Sequence, residues 1–209
     1  MKQQRAIRAT LIVGSALFGL IAVVLFLGIL LSPYGNPGEG DYKLVKESVV
    51  IKAPVSQVYQ YLGNSENARQ WSTYLHHITP LNDQKIPDGK VGSIRRCFVY
   101  QNEKGQRWDE EVLSVSPNHH RQISCYNFID FEVSAGLLNT EQLYEETVDG
   151  HCLLSFTLFL SPEESPSWIK YLKMYFGSYI VARVFQKNLE NIKRLNEEVD
   201  TINRTAHTY

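Results

Sequence analysis

The sequence is nearly neutral, poor in cysteine and without a catalytic signature. Its 21 basic and 22 acidic residues leave a formal charge of −1 over 209 residues, so no global field draws it to nucleic acid. The three cysteines, Cys97, Cys125 and Cys152, stand far apart, with no CxxC pair and no histidine at zinc spacing. No metal site is expected from them, and small buried thiols are the favoured role, although sequence leaves the pairing of any disulfide open. The nucleophile elbow, zinc-protease helix, phosphate loop and dinucleotide fingerprint are all missing, so no nucleophile is nominated and no cofactor is expected. There is no internal repeat and no low-complexity tract.

One long apolar run is present. Residues 9–31, ATLIVGSALFGLIAVVLFLGILL, carry no charge and are long enough to cross a hydrocarbon core of about 30 Å. They exceed the apolar stretch of a cleavable leader, and no A-x-A site precedes Ser32-Pro33. An uncleaved transmembrane helix is therefore expected, making this a single-pass membrane protein. The segment 1–8 supplies Lys2, Arg5 and Arg8, against Lys43 and Lys46 beyond the span. That bias favours a cytoplasmic N-terminus and a domain on the far side of the membrane. Residues 32–42, SPYGNPGEGDY, form a Pro- and Gly-rich linker reaching about 36 Å at most when extended, so the following domain, 43–200, stays near the bilayer. Residues 201–209 are a polar tail.

From Lys43 the apolar period is two, with Val45, Val49, Ile51 and Ala53 on one face, which marks a half-buried strand ending at Pro54. Ser56 is a candidate cap for a helix whose stripe is Val58, Tyr59 and Leu62, stopped at Gly63-Asn64. Ser65 opens a second short helix ending near Trp71. Six further strands are expected, over about 75–81, 92–101, 107–115, 122–131, 142–148 and 152–160, joined by short turns such as Asp149-Gly150. A largely antiparallel sheet follows. After SPEESP at 161–166, a run to Val199 places Phe185, Leu189, Ile192 and Leu195 at helical spacing. Strand, two short helices, strands and long helix make an α+β layout.

Within that order, "APVSQVYQYL", "SENARQW" with Trp71, "GSIRRC", "WDEEVLSVSPN" and "NLENIKRLNEE" carry a resemblance covering about residues 44–198. The chain resembles the polyketide cyclase/dehydrase and lipid-transport branch of the START-like (SRPBCC, helix-grip) superfamily. The resemblance implies a helix-grip fold, a curved antiparallel sheet around the long C-terminal helix, with an apolar cavity between them. It names no catalytic residue, because one fold hosts many activities.

The expected pocket lining is aromatic: Phe98, Tyr100, Trp108, Tyr126, Phe128, Tyr144 and Phe156 on strands, Tyr175 and Tyr179 on the helix, and Trp71 and Tyr74 at the rim, with a solid core as the competing reading. The pairs His76-His77 and His119-His120 are expected to point to opposite faces, each unable to clamp an ion. In the acidic triple Asp109, Glu110 and Glu111, alternation turns at least one carboxylate inward. Glu110 or Glu111 would then be an acid–base group, with Arg96 as orienting cation, although ion pairs from Arg95 and Arg96 across the sheet explain the same residues. The leading expectation is a membrane-anchored module binding a lipid or other hydrophobic small molecule. A cyclase, aromatase or dehydratase on a small hydrophobic substrate is the alternative, and a scaffold for a protein partner is a third.

Overall fold

The computed structural model describes residues 2–35, 43–131, 138–160 and 167–206; residues 36–42 of the expected linker, the 161–166 segment and the end of the tail lie outside them. Helix α1 (Lys2–Leu30) comes first, and β1 (Lys43–Ile51) begins the sheet. Helix α2 (Val55–Gly63), a 3₁₀ turn (Ser65–Asn67) and α3 (Ala68–Trp71) follow. Strands β2 (His77–Pro80), β3 (Ile94–Phe98), β4 (Arg107–Ser116), β5 (His120–Ile129), β6 (Leu138–Glu146) and β7 (Cys152–Leu160) precede the long helix α4 (Trp168–Ala206).

All seven strands join one antiparallel sheet in the order β1-β7-β6-β5-β4-β3-β2. The long crossover from β1 to β2 carries α2 and α3, and both ends of the sheet come from the start of the domain. Register shifts between β4 and β5, at Arg107/Asp109 and Val112/Ser114, are the local bends that curve a sheet and increase its twist. On β1 the expected alternation holds: Val45 and Ile51 are fully buried, as is Ala53 just beyond the strand, while Lys46, Ser48 and Lys52 face water. The apolar face packs against α4, whose Leu189 and Ile192 join Ile51, Leu154 and Phe156 in the main core with Val58 and Leu62 of α2.

Several boundaries differ from the sequence reading. Ser56 does not cap α2. The N-cap is Pro54, extended at φ −61° and ψ 145°, with no side-chain cap bond, and Ser56 lies inside the first turn. Proline's fixed φ already supplies the entry geometry. Asn64 instead does the capping, its side chain accepting the Glu66 N–H at 3.0 Å to open the 3₁₀ turn. Strand β6 starts at Leu138, before the expected Gln142, because Leu138–Glu141 find partners on both β5 and β7. Val148, expected in that strand, sits in the turn and is fully exposed. Helix α4 continues past Val199 to Ala206.

One glycine is required by close approach. Gly89 has φ +74°, and a Cβ there would lie 2.6 Å from the Gly63 carbonyl oxygen, so the loop before β3 presses against the end of α2. Its neighbour Asp88 accepts the Ser65 N–H at 2.8 Å. The loop thereby delivers a carboxylate to the mouth of β3.

Candidate functional site

The register decides which side chains share the inner face. Cα partners Arg95↔Glu110 and Cys97↔Trp108 join β3 to β4, Glu110↔Cys125 and Val112↔Ile123 join β4 to β5, and Cys125↔Leu138 joins β5 to β6. Partners point to the same face of a sheet. The inner face of β3–β6 is therefore Arg95, Cys97, Trp108, Glu110, Val112, Ile123, Cys125 and Leu138. Its apolar members form a cluster of their own, Val112, Ile123 and Cys125 with Trp108, Phe128 and Leu138 packed on it. This cluster is separate from the core beneath α4.

A charge pair is set into that apolar wall. The Arg95 Nε–H donates to Glu110 Oε2 at 2.8 Å, and the Trp108 Nε1–H donates to Glu110 Oε1 at 3.0 Å. Asp88 lies 3.9 Å from Arg95 Nη1. Burial opposes the charge on Arg95, but Glu110 and Asp88 outweigh it and hold the guanidinium above its ordinary pKa. Desolvation, reinforced by the Glu110 charge, pushes the thiols of Cys97 and Cys125 well up, and burial pushes Cys152 up to about 12. All three are buried free thiols, neutral in this setting and poor nucleophiles.

Further along the same face, Arg121 is almost wholly buried. Its Nη1 donates to Gln142 Oε1 at 2.9 Å and to the Tyr144 hydroxyl at 3.3 Å, and its guanidinium carbon lies 4.8 Å over the Tyr59 ring. Its Nε has no acceptor. The Tyr144 hydroxyl donates to Gln142 at 2.7 Å, and burial raises its pKa despite the nearby cation. A cleft of about 530 Å³ opens behind Tyr144, between Pro54–Ser56 and Asn118–His119. It lies at the α2 end of the sheet, away from the Trp108 wall.

The candidate residues divide accordingly. Trp108, Phe128, Tyr144, Phe156 and Glu110 lie on the inner face. Phe98 and Tyr126 lie on the outer face, Phe98 stacked on His77 with centroids 4.9 Å apart. Arg96 and Glu111 also face outward, so the structure does not bring them to Glu110; the inner cation is Arg95. Tyr100 sits in an exposed turn. Tyr74 is exposed, its ring 6.2 Å from Trp108 and its hydroxyl donating to Gln106 at 3.0 Å. Trp71 packs edge-on to Phe156 at 6.1 Å, and its carbonyl accepts from Asn191 Nδ2, near the middle of α4. Tyr175 meets Tyr34, and Tyr179 reaches the Gly28 carbonyl of α1.

The histidine expectation needs correction: His76 precedes β2 and His119 lies in the turn before β5, so strand alternation governs neither pair. His76 Nδ1 lies 2.9 Å from Nδ1 of His77, whose Nε2 meets Glu103 at 3.2 Å. The cross-strand ion pairs expected of Arg95 and Arg96 are both present, Arg95 to Glu110 and Arg96 to Asp109, whereas Arg121 was not singled out by the sequence. Which of the two pairs faces inward became legible only once the register was known.

On the outer face Arg96 donates to both Asp109 oxygens, Nε at 2.7 Å and Nη2 at 3.0 Å, and Asn127 Nδ2 adds a bond at 2.9 Å. Burial disfavours the Asp109 carboxylate, but these hydrogen bonds outweigh it and hold its pKa below the ordinary value. A lowered carboxyl pKa stabilises the fold above the unfolded pKa of about 3.9, a contribution lost as pH falls through the folded value. Asp109→Asn should cost about 1–2 kcal/mol near neutral pH, since Arg96 keeps access to water. In urea unfolding of the full chain, the gap between variant and native protein should close as the pH falls below about 4.

A curved antiparallel sheet holding a long C-terminal helix, with a partly polar apolar face inside, defines the helix-grip class. The family described as polyketide cyclase / dehydrase and lipid transport matches residues 43–197, and the chain belongs to it. Among solved structures, XoxI from Bacillus cereus aligns with a TM-score of 0.53 at 13% identity, over 75% of this chain and 97% of its own. Major latex-like protein 151 from Panax ginseng gives 0.53 at 12% identity, over 75% and 99%. Ara h 8.0201 gives 0.55 at 9% identity, over 74% and 97%. At such identities the likeness is one of fold. No curated protein matches the chain. Among the described residues one helix, Leu11–Leu30 with mean hydropathy 2.7, is long and apolar enough to cross a membrane.

Proposed function

We propose that this protein is a membrane-anchored binding module that holds a lipid or other hydrophobic small molecule inside the grip. The observation that carries this reading is the separate apolar wall on β4–β6, built from Val112, Ile123, Cys125, Trp108 and Phe128 apart from the core beneath α4. Ligand sites are mostly apolar with a few placed polar groups, and Glu110 and Arg95 are such groups. Family membership supports the same class of ligand. The anchor is α1, and the basic residues preceding it favour a domain on the side away from the cytoplasm.

The enzymatic alternative rests on the inward carboxylate of Glu110. It is the weaker reading, because Glu110 is held in a cross-strand ion pair with Arg95 and accepts from Trp108, and Arg96, the cation expected to orient a substrate, faces outward onto Asp109. Mass spectrometry of extracts from the purified full chain tests the binding reading. The expected result is a defined apolar compound at near one equivalent, with occupancy reduced about tenfold or more in Trp108→Ala, equivalent to about 1.4 kcal/mol of binding. Native protein that is empty and takes up no apolar compound would overturn it.

A further inference from the structure

The junction of α1 with α4 fixes how the domain stands on its membrane. Gly28 lies within the apolar span, less than one turn from its end. Its carbonyl accepts the Tyr179 hydroxyl at 2.8 Å, and the Phe176 ring sits so close that a Cβ on Gly28 would be 2.7 Å from it. Just beyond the span, the Ser32 hydroxyl lies 2.9 Å from the Tyr175 carbonyl and 2.8 Å from the Ser178 hydroxyl. Tyr34 is buried edge-on to Tyr175 at 5.3 Å, in a small core with Val45 and Ala182. The end of α1 is thus clamped to α4 rather than joined to the domain by the linker alone. Since α1 rises about 1.5 Å per residue, Phe176 and Tyr179 stand at the depth of the last turn of the span.

The face of α4 beside that clamp is suited to the same depth. Trp168 is 71% exposed and Ile180 68%, and Ile169, Phe176 and Tyr179 are exposed with them. Ile169, Phe176 and Ile180 fall at i, i+7 and i+11, one side of the helix. From residue 168 to residue 189 the chain has Lys170, Lys173, Arg183 and Lys187 and no acidic residue. Exposed aromatics with basic neighbours are the composition of a helix lying in a lipid headgroup layer. A protein partner would cover such a patch equally well by area, but it would have to do so at bilayer depth.

We infer that the N-terminal third of α4, from Trp168 to Ile180, is seated in the headgroup region of the bilayer crossed by α1, with Lys173, Arg183 and Lys187 directed toward anionic lipid. This rests on the proposal that α1 spans a membrane. It makes the bilayer surface a second, interfacial contact of the domain and holds one end of the grip against lipid.

Spin labels on single introduced cysteines test the seating, in the full chain reconstituted in vesicles of phosphatidylcholine and phosphatidylglycerol, with unsubstituted protein controlling for the native thiols. Val24→Cys reports the span, Ile169→Cys and Ile180→Cys the seated face, and Val148→Cys the exposed turn remote from it. The expected result is oxygen-accessible labels at 24, 169 and 180 and a label open to a water-soluble nickel relaxant at 148. Charge reversal at Arg183 and Lys187 should then raise nickel access at 180 by about twofold or more in these anionic vesicles. A label in lipid at 24 with those at 169 and 180 in water would overturn the seating while leaving the anchor intact. A label in water at 24 would overturn the anchor and the seating together. Labels at 169 and 180 shielded from both relaxants would show a protein partner or a second copy on this face, and would also overturn it.

Discussion

Replacing Arg95 by Met should lower the unfolding free energy by about 3–5 kcal/mol, because it leaves a buried carboxylate without its counter-charge. Glu110 is largely shielded from water and its Oε2 depends on the Arg95 Nε–H; Asp88, with one oxygen already lacking a hydrogen-bond partner, would lose the same cation. The double replacement Arg95→Met with Glu110→Leu should recover most of that loss, since an apolar pair of similar volume avoids the desolvation of both ions. Urea denaturation of the full chain in detergent micelles, followed by far-ultraviolet circular dichroism, gives the double-mutant cycle. A double variant as unstable as the sum of the single variants would mean that the pair itself holds the wall together. A recovered double variant that no longer retains an apolar compound would instead mean that the ion pair is kept for the ligand.

Trp71→Ala should cost about 3 kcal/mol, at the lower end of the range for truncating a large aromatic, because the ring is only partly buried. Its indole packs on the main core beside Phe156. Its backbone is also fixed, by Asn191 at the Trp71 carbonyl and by Asn188 at the Thr73 N–H and hydroxyl. Those bonds hold α3 to the middle of α4 whatever side chain residue 71 carries. The replacement should therefore lower the unfolding midpoint and leave the rate of ligand exchange within about twofold. A stable variant with altered exchange would make Trp71 a gate rather than a packing residue.

Much of the fold was legible because it is written in short-range patterns. Alternation at Val45, Val49 and Ile51 placed β1 and its buried face, and the stripe Phe185, Leu189 and Ile192 placed the side of α4 that meets it. Both depend only on the fixed periods of strand and helix. The cap misplaced at Ser56 and the start of β6 expected too late, at Gln142, have different causes. Pro54 lies within the local window and its fixed φ supplies the helix entry that residue type assigned to Ser56, whereas the strands waiting on either side of Leu138 are contacts outside any such window.

The candidate site was legible only in part. Alternation required an inward carboxylate among Asp109, Glu110 and Glu111 without saying which, and the two arginines at 95 and 96 were indistinguishable by type. Pairing of β3 with β4 separates them, sending Arg95 to Glu110 inside and Arg96 to Asp109 outside, and a slip of one residue would exchange every assignment. Phe98 and Tyr126 went outward by the same rule, although their composition suits a pocket.

By itself the sequence determined the apolar span, the antiparallel sheet with its closing helix, and the absence of a recognisable catalytic motif, since each is a property of composition or of local period. Tertiary structure alone decided that Glu110 meets Arg95, that Arg121 is buried among neutral acceptors, and that α1 is clamped to α4 at Gly28. Each of these joins residues distant in the chain, and such contacts are set by strand register and helix docking, which no local window of sequence contains.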